Sequence, residues 1–305
     1  MTKNSKWLLG LPAIFVIFLI GLVVFTGIKQ TKESQQTGRL HVVASLDSYG
    51  EIAQAVLGNQ GSVRSVLTNP AIDPHDFEPT ASTARLYQQA DIIISNGGGY
   101  DQWSTRLAQA NESAKKITVA KLYHYHAGDN EHFWYAPDLA NRLTNQLVIT
   151  YSQLIPAKKP YFEQNAQRYL RKLTKLDQLR STLKQTLAGQ GVLTTEPVFD
   201  LTLKSLDANI LVPAFGQAID EGQDPTPAAV QAWRKAIDQG QVKVVIENKQ
   251  AKGKLVDQAV AYAKEHQVPV VKVTETKGQG QSYLDWQYAQ LKQLAKAVGA
   301  HDESN

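Results

Sequence analysis

The chain carries seven histidines and no cysteine, so any metal or proton chemistry rests on imidazole and carboxylate groups. The missing cysteines exclude disulfides, a thiolate zinc site, a cysteine nucleophile and an acylated lipobox. Two histidines stand in telling surroundings. His75 lies in TNPAIDPHDFEPT, between Pro74 and Pro79 and among Asp73, Asp76 and Glu78. His132 lies in HYHAGDNEHFW, just after His124 and His126. Two glutamates follow strand-like runs directly: Glu196 after GVLTT and Glu275 after VPVVKVT. Two imidazoles and two carboxylates together suit a divalent transition-metal ion. No H-E-x-x-H segment occurs, which removes the usual helical zinc-hydrolase arrangement.

Each residue also has a plainer reading. His75 fits a surface loop, and Glu275 a solvated acid in a polar turn. Glu196 suits the N-terminus of a helix opening at Pro197, where an acid meets unpaired N–H groups. Glu247, at the end of VKVVIE, competes with Glu275 for the fourth position. His124 and His126 fit either solvent-facing roles or loose metal recruitment. His132 is favoured over them because Phe133 and Trp134 can bury its loop and fix its ring. The stronger signal is shared location, since all four candidates follow strands.

That location depends on the elements around them. Leu40–Ser45, Ser62–Leu67, Asp91–Ser95 and Lys116–Ala120 read as strands, with helices over Tyr49–Leu57, Ala81–Gln89 and Gln102–Ala110 between them. This β-α alternation implies a parallel sheet covered by helices. A second alternation begins after Gly189–Gly191. It has strands at Val192–Thr195, Val242–Glu247 and Val268–Thr274, and helices at Val198–Leu206, Thr226–Gln239, Lys252–His266 and Leu284–Val298. Between them, Asp138 to Leu187 reads as mostly helical. Tyr161–Leu187 has no Gly or Pro, which permits one continuous helix about 40 Å long. The expected fold is α/β, with two lobes, each a mainly parallel sheet flanked by helices, joined by a long backbone helix. The expected divisions are 1–38 (membrane segment and tether), 39–137 (first lobe), 138–188 (helical connector) and 189–305 (second lobe). Ligands in such sheets bind beyond the carboxyl ends of the strands, where the candidate residues lie.

The N-terminus sets the expected compartment. Trp7–Ile28 carries no charge, follows Lys3 and Lys6, and is long enough to cross a hydrocarbon core of about 30 Å. It is long for a signal-peptide core and no convincing A-x-A site follows, so it reads as an uncleaved signal anchor, with cleavage as the alternative. Either way the remainder is exported. The net charge of +4 is mild and its basic residues are scattered among acids, which argues against a nucleic-acid partner.

DPHDFEPT (Asp73–Thr80) resembles the D-P-H-x-[YF]-E-P motif of the zinc/manganese solute-binding proteins of ABC importers. ADIIISNGGGYDQW (Ala90–Trp103) is similar to a second stretch of that family, and EHFWYAP (Glu131–Pro137) to its H-x-W-x-x-P motif, with Tyr135-Ala136 in the usual Leu-Asp place. TEPVFDLTLKSL, DEGQDPTPAAV, VPVVKVTET and YLDW extend the likeness through the second lobe. The resemblance implies two lobes on a stiff helix with little hinge motion, and a metal site between them formed by His75, His132, Glu196 and Glu275. It further implies a monomer that takes Zn²⁺ or Mn²⁺ to an ABC permease with its cytoplasmic ATPase, and no enzymatic activity. A membrane-anchored hydrolase and a metal-binding surface adhesin are the alternatives. The long His-rich loop of many zinc members is missing, which leaves the metal open.

Overall fold

The computed structural model describes residues 39–69 and 77–300. The Trp7–Ile28 segment and His75 lie outside the described residues. Among those described, no helix is long and apolar enough to cross a membrane.

The first sheet contains β1 (Leu40–Leu46), β2 (Gly61–Leu67), β3 (Ile92–Ser95) and β4 (Lys115–Thr118), all parallel, in the order β2-β1-β3-β4. Covered on both faces, β3 is buried throughout, which explains its unbroken Ile-Ile-Ile run. Helices α1 (Asp47–Leu57), α2 (Ala81–Gln88), α3 (Gln102–Ala110) and α4 (Val119–Leu122) make the connections. Thr80 starts α2 with a reciprocal cap between its own side chain and that of Thr83. The expected strand through Ala120 instead stops at Thr118 and turns into α4.

The second sheet repeats the plan. β5 (Gly191–Thr194), β6 (Asn209–Ile210), β7 (Val242–Asn248) and β8 (Val270–Val273) are parallel in the order β6-β5-β7-β8. In each sheet the chain steps to one side and then reverses, which puts a topological switch point between β1 and β3 and another between β5 and β7. Helices α8 (Asp200–Ser205), α9 (Pro213–Asp220), α10 (Pro227–Asp238), α11 (Lys254–Glu265) and α12 (Tyr283–Val298) complete this lobe. β6 and α9 were not foreseen. Both are short, and α9 enters from a left-handed Val212, a conformation that side-chain patterning does not announce.

Between the lobes run α5 (Leu139–Leu154), α6 (Lys159–Lys172) and α7 (Thr174–Leu187). The expected continuous helix is therefore divided at Leu173. There Leu173 N–H bonds the Leu170 carbonyl and Leu176 N–H bonds that of Leu173, a tighter i→i+3 pattern. The Thr174 hydroxyl also donates to the Arg171 carbonyl at 2.8 Å, competing with the helix ladder. A threonine can bend a helix without any Gly or Pro to reveal it.

One apolar core runs through both lobes, from β1 and β3 through Phe133, Trp134 and Tyr135 to Phe199, Val244 and Trp286. Tyr135 is wholly buried at the junction. Its hydroxyl lies 2.6 Å from the Thr274 carbonyl and 2.7 Å from Gln290 Oε1, and its carbonyl accepts from Thr202 Oγ1 at 2.8 Å. Neighbouring Trp134 presents its carbonyl to the Tyr283 hydroxyl at 2.9 Å. The Tyr135 hydroxyl thus adds polar anchorage to an apolar wedge. Because the core is shared, equilibrium urea unfolding is expected to show one cooperative transition. Tyr135→Phe should keep that single transition and lower stability by about 1–2 kcal/mol, the consequence of buried acceptors losing their donor. Two resolved transitions would contradict a shared core.

Candidate metal centre

His132 sits at the end of the 123–131 loop, immediately before a 3-10 turn over Phe133–Tyr135. Phe133 stacks on Tyr123 at 4.9 Å and 14°, pinning the loop, while Trp134 and Tyr100 stand edge-on to the imidazole at 5.2 and 6.1 Å. The ring is completely buried. Asn130 sets its chemistry. Asn130 Nδ2 donates to the Pro197 carbonyl at 2.6 Å, and Oδ1 accepts from the His132 backbone N–H at 2.9 Å. The oxygen facing His132 Nδ1 at 3.2 Å is therefore an acceptor, and Nδ1 must carry the hydrogen. In the neutral ring this leaves the lone pair on Nε2. Nε2 points toward α9, 3.5 Å from Asp220 Oδ1.

The loop after β3 supports His132 from the other side. Asp101 accepts from the Asn96 and Gly97 N–H groups at 2.7 and 2.8 Å, although burial pushes its carboxyl up to about 6. Asn96 Nδ2 donates to the Glu131 carbonyl at 3.0 Å, and Gly99 N–H donates to the Glu131 carboxylate. Gly98 has φ +67°, and a Cβ there would lie 2.6 Å from Glu131 Oε2, so a glycine suits this position.

The second lobe contributes from three strand ends. Glu196, after β5, stands at the N-cap of the Pro197–Phe199 turn without its side chain capping it. The capping role open to Glu196 from sequence is therefore not the one it adopts. Its carboxylate instead accepts from Asn248 Nδ2, at the end of β7. The same nitrogen donates to Glu275 Oε1 at 2.8 Å, after β8, so one amide bridges both carboxylates. Glu275 Oε2 accepts from the Tyr100 hydroxyl of the first lobe at 3.1 Å. Burial, with the Glu275 charge added, holds that hydroxyl well above the ordinary phenol range, so it stays a donor. Adjacent residues of a strand face opposite ways. Glu247 accordingly turns from Asn248's side and meets Lys272 at 3.5 Å. His126 pairs with Asp129 on the exposed rim.

Tyr100 thus links the Glu196–Asn248–Glu275 group to His132 across the junction. Among the described residues, no three His, Asp or Glu side chains lie close enough to hold an ion by themselves. Asn130, Asn248, Tyr100 and Asp220 were missed in the sequence. Only the place of Asn248 at a strand end could have signalled it. Beside the centre, Lys277 of the 275–282 segment reaches Asp47 Oδ2 at 3.1 Å and Glu51 Oε2 at 3.7 Å on α1, fastening the Glu275 segment to the first lobe. Burial still raises both carboxyls despite that lysine.

The tautomer assignment is testable without any ligand. Long-range ¹⁵N–¹H NMR of the neutral imidazole should report a single Nδ1–H form for His132 in the parent protein. In Asn130→Ala it should report a tautomer mixture. An Nε2–H form in the parent would contradict the assignment.

Comparisons with known proteins agree with this architecture. The family model described as zinc-uptake complex component A, periplasmic, matches residues 42–297. The high-affinity zinc uptake system protein ZnuA of Bacillus subtilis is 26% identical over 275 residues, covering 83% of this chain and 84% of that protein. The metal ABC transporter substrate-binding lipoprotein ScbA of Streptococcus cristatus is 26% identical over 247 residues, covering 71% and 74%. Among solved structures, a Mn-bound periplasmic metal-binding protein from Candidatus Liberibacter asiaticus superposes with a TM-score of 0.69 at 16% identity, over 85% of this chain and 99% of that one. A mutant laminin-binding adhesin from Streptococcus agalactiae gives 0.68 at 18% identity, with the same coverage. With two like-ordered parallel sheets, a bent connecting helix and a family match over most of its length, the chain belongs to the periplasmic zinc-uptake complex component A family.

Proposed function

We propose that this chain is an extracytoplasmic solute-binding protein that captures a divalent transition-metal ion, Zn²⁺ or Mn²⁺, between its lobes. It passes the ion to an ABC permease driven by a cytoplasmic ATPase. The proposed ligands are His75, His132, Glu196 and Glu275, with lobes and connector divided as the sequence suggests and residues 1–38 attaching the protein to the membrane. The observation that carries the reading is the single Asn248 amide shared by Glu196 and Glu275. Two carboxylates side by side repel each other, and a donor or a cation between them relieves that repulsion. The fixed His132 tautomer supplies the complementary feature, a neutral nitrogen donor. Four protein ligands would close the coordination shell and leave no position for a reactive water, which suits a carrier rather than a hydrolase.

Native mass spectrometry of protein purified without a metal-affinity tag should show one bound ion and identify the element. His132→Ala combined with Glu196→Gln should abolish that stoichiometry. Asn248→Ala should retain it while weakening affinity by about 10–100-fold, as expected for a residue that orients ligands. Capture should weaken as pH falls through the ordinary histidine value of about 6.5, because a protonated imidazole has no lone pair to offer. Unchanged affinity in the double variant would sink the assignment. Loss of metal uptake in a deletion strain would separate an importer component from an adhesin of the same fold.

A further inference from the structure

Beside the proposed centre lies an inter-lobe cavity of about 380 Å³. Its walls come from the 123–131 loop of the first lobe and from α8 and α9 of the second. Five carboxylates line it, Asp129, Glu131, Asp200, Asp220 and Glu221, against one cation, Lys204. Asp220 connects it to the centre, since its Oδ1 lies 3.5 Å from His132 Nε2. Asp200 is the unusual member. It is only 6% exposed, and among the described residues its Oδ1 has no hydrogen-bond partner. Burial pushes its carboxyl up to about 6, with Lys204 and the Thr194 side chain acting in the opposite direction. A buried carboxylate oxygen without a donor is destabilising unless the group takes up a proton or a positive charge reaches it.

Building on the metal-capture reading, we propose that this cavity is the access vestibule of the centre. It draws in a hydrated divalent cation electrostatically and stages it beside His132, with Lys204 as the resident counter-charge that the arriving ion displaces. The carboxylates are not gathered into a chelating set. An ion held there therefore keeps its water shell and moves on, and the protein ligands replace that shell at the centre. A low-dielectric cleft lined by one sign of charge concentrates counter-ions and raises association rates, in a salt-sensitive way. Lys204 opposes this field in the ion-free protein, which gives the proposal two opposite signatures.

The test is stopped-flow capture of Zn²⁺ by the full chain, followed through the fluorescence of Trp134 beside His132. At low ionic strength the triple variant Asp129→Asn, Asp200→Asn, Glu221→Gln should take up the ion about tenfold more slowly. Lys204→Gln, an exposed single change that leaves the core untouched, should take it up several-fold faster. Both differences should shrink toward the parent rate near 1 M salt, where the screening length is about 3 Å. Stoichiometry should remain one ion per chain in every variant. Parent-like rates in Lys204→Gln, or slowing in the triple variant that persists at high salt, would overturn the vestibule. Failure of the underlying reading shows separately, as absence of ion capture by the parent protein.

Discussion

The structure depends on the wedge Phe133–Trp134–Tyr135, which holds the carboxyl ends of two sheets at a fixed spacing. Three consecutive aromatic residues leave the first lobe and enter a core continuous with the second. Each is buried, and Trp134 and Tyr135 also satisfy carbonyl and hydroxyl groups from α8, α12 and the end of β8. Apolar burial provides most of the adhesion, and the polar contacts select one relative placement. His132 directly precedes the wedge, so its imidazole is positioned by the same interaction that joins the lobes.

This arrangement accounts for the meeting of Tyr100 from one lobe with Glu275 from the other on short side chains. Such side chains reach only a few ångströms, so groups from opposite lobes meet only when the lobe spacing is set beforehand. The Lys277 contacts with Asp47 and Glu51 serve the same end on the far side of Glu275. Asn130, bonded to both His132 and the Pro197 carbonyl, couples the imidazole's tautomer to the turn that follows Glu196. Rigidity and donor chemistry are therefore one property. A receptor with a shared core has little freedom for wide hinge opening, and its exchange of ligand is expected to rely on side chains and the mouth of the cleft.

The acidic cavity fits that constraint. Where lobes do not swing apart, an ion needs a route to a completely buried imidazole. The route lined by Asp200 and Asp220 lies at the junction of α8 and α9 with the His132 loop. Charge placed along a fixed channel raises the rate of arrival without altering the ligands, and this separates the kinetics of capture from its equilibrium.

Several features were already legible in the chain alone. The β-α alternation implied parallel sheets covered by helices, with Asp91–Ser95 and Val242–Glu247 among their strands. The strand-end positions of Glu196 and Glu275 followed from the same periodicity, and the ordered motifs from Asp73 to Trp286 indicated the family. Tertiary structure alone decided the rest. The bend at Leu173 arises from a threonine hydroxyl competing for a backbone carbonyl, which carries no Gly or Pro signal. Asn248 was hidden because strand alternation makes either of two neighbours at a strand end the inward one, and only sheet packing turned Glu247 toward Lys272. Asp220 lies on a helix the pattern did not reveal. Local periodicity determines which face of an element is buried, whereas the partner meeting that face is a long-range fact that no short window of sequence contains.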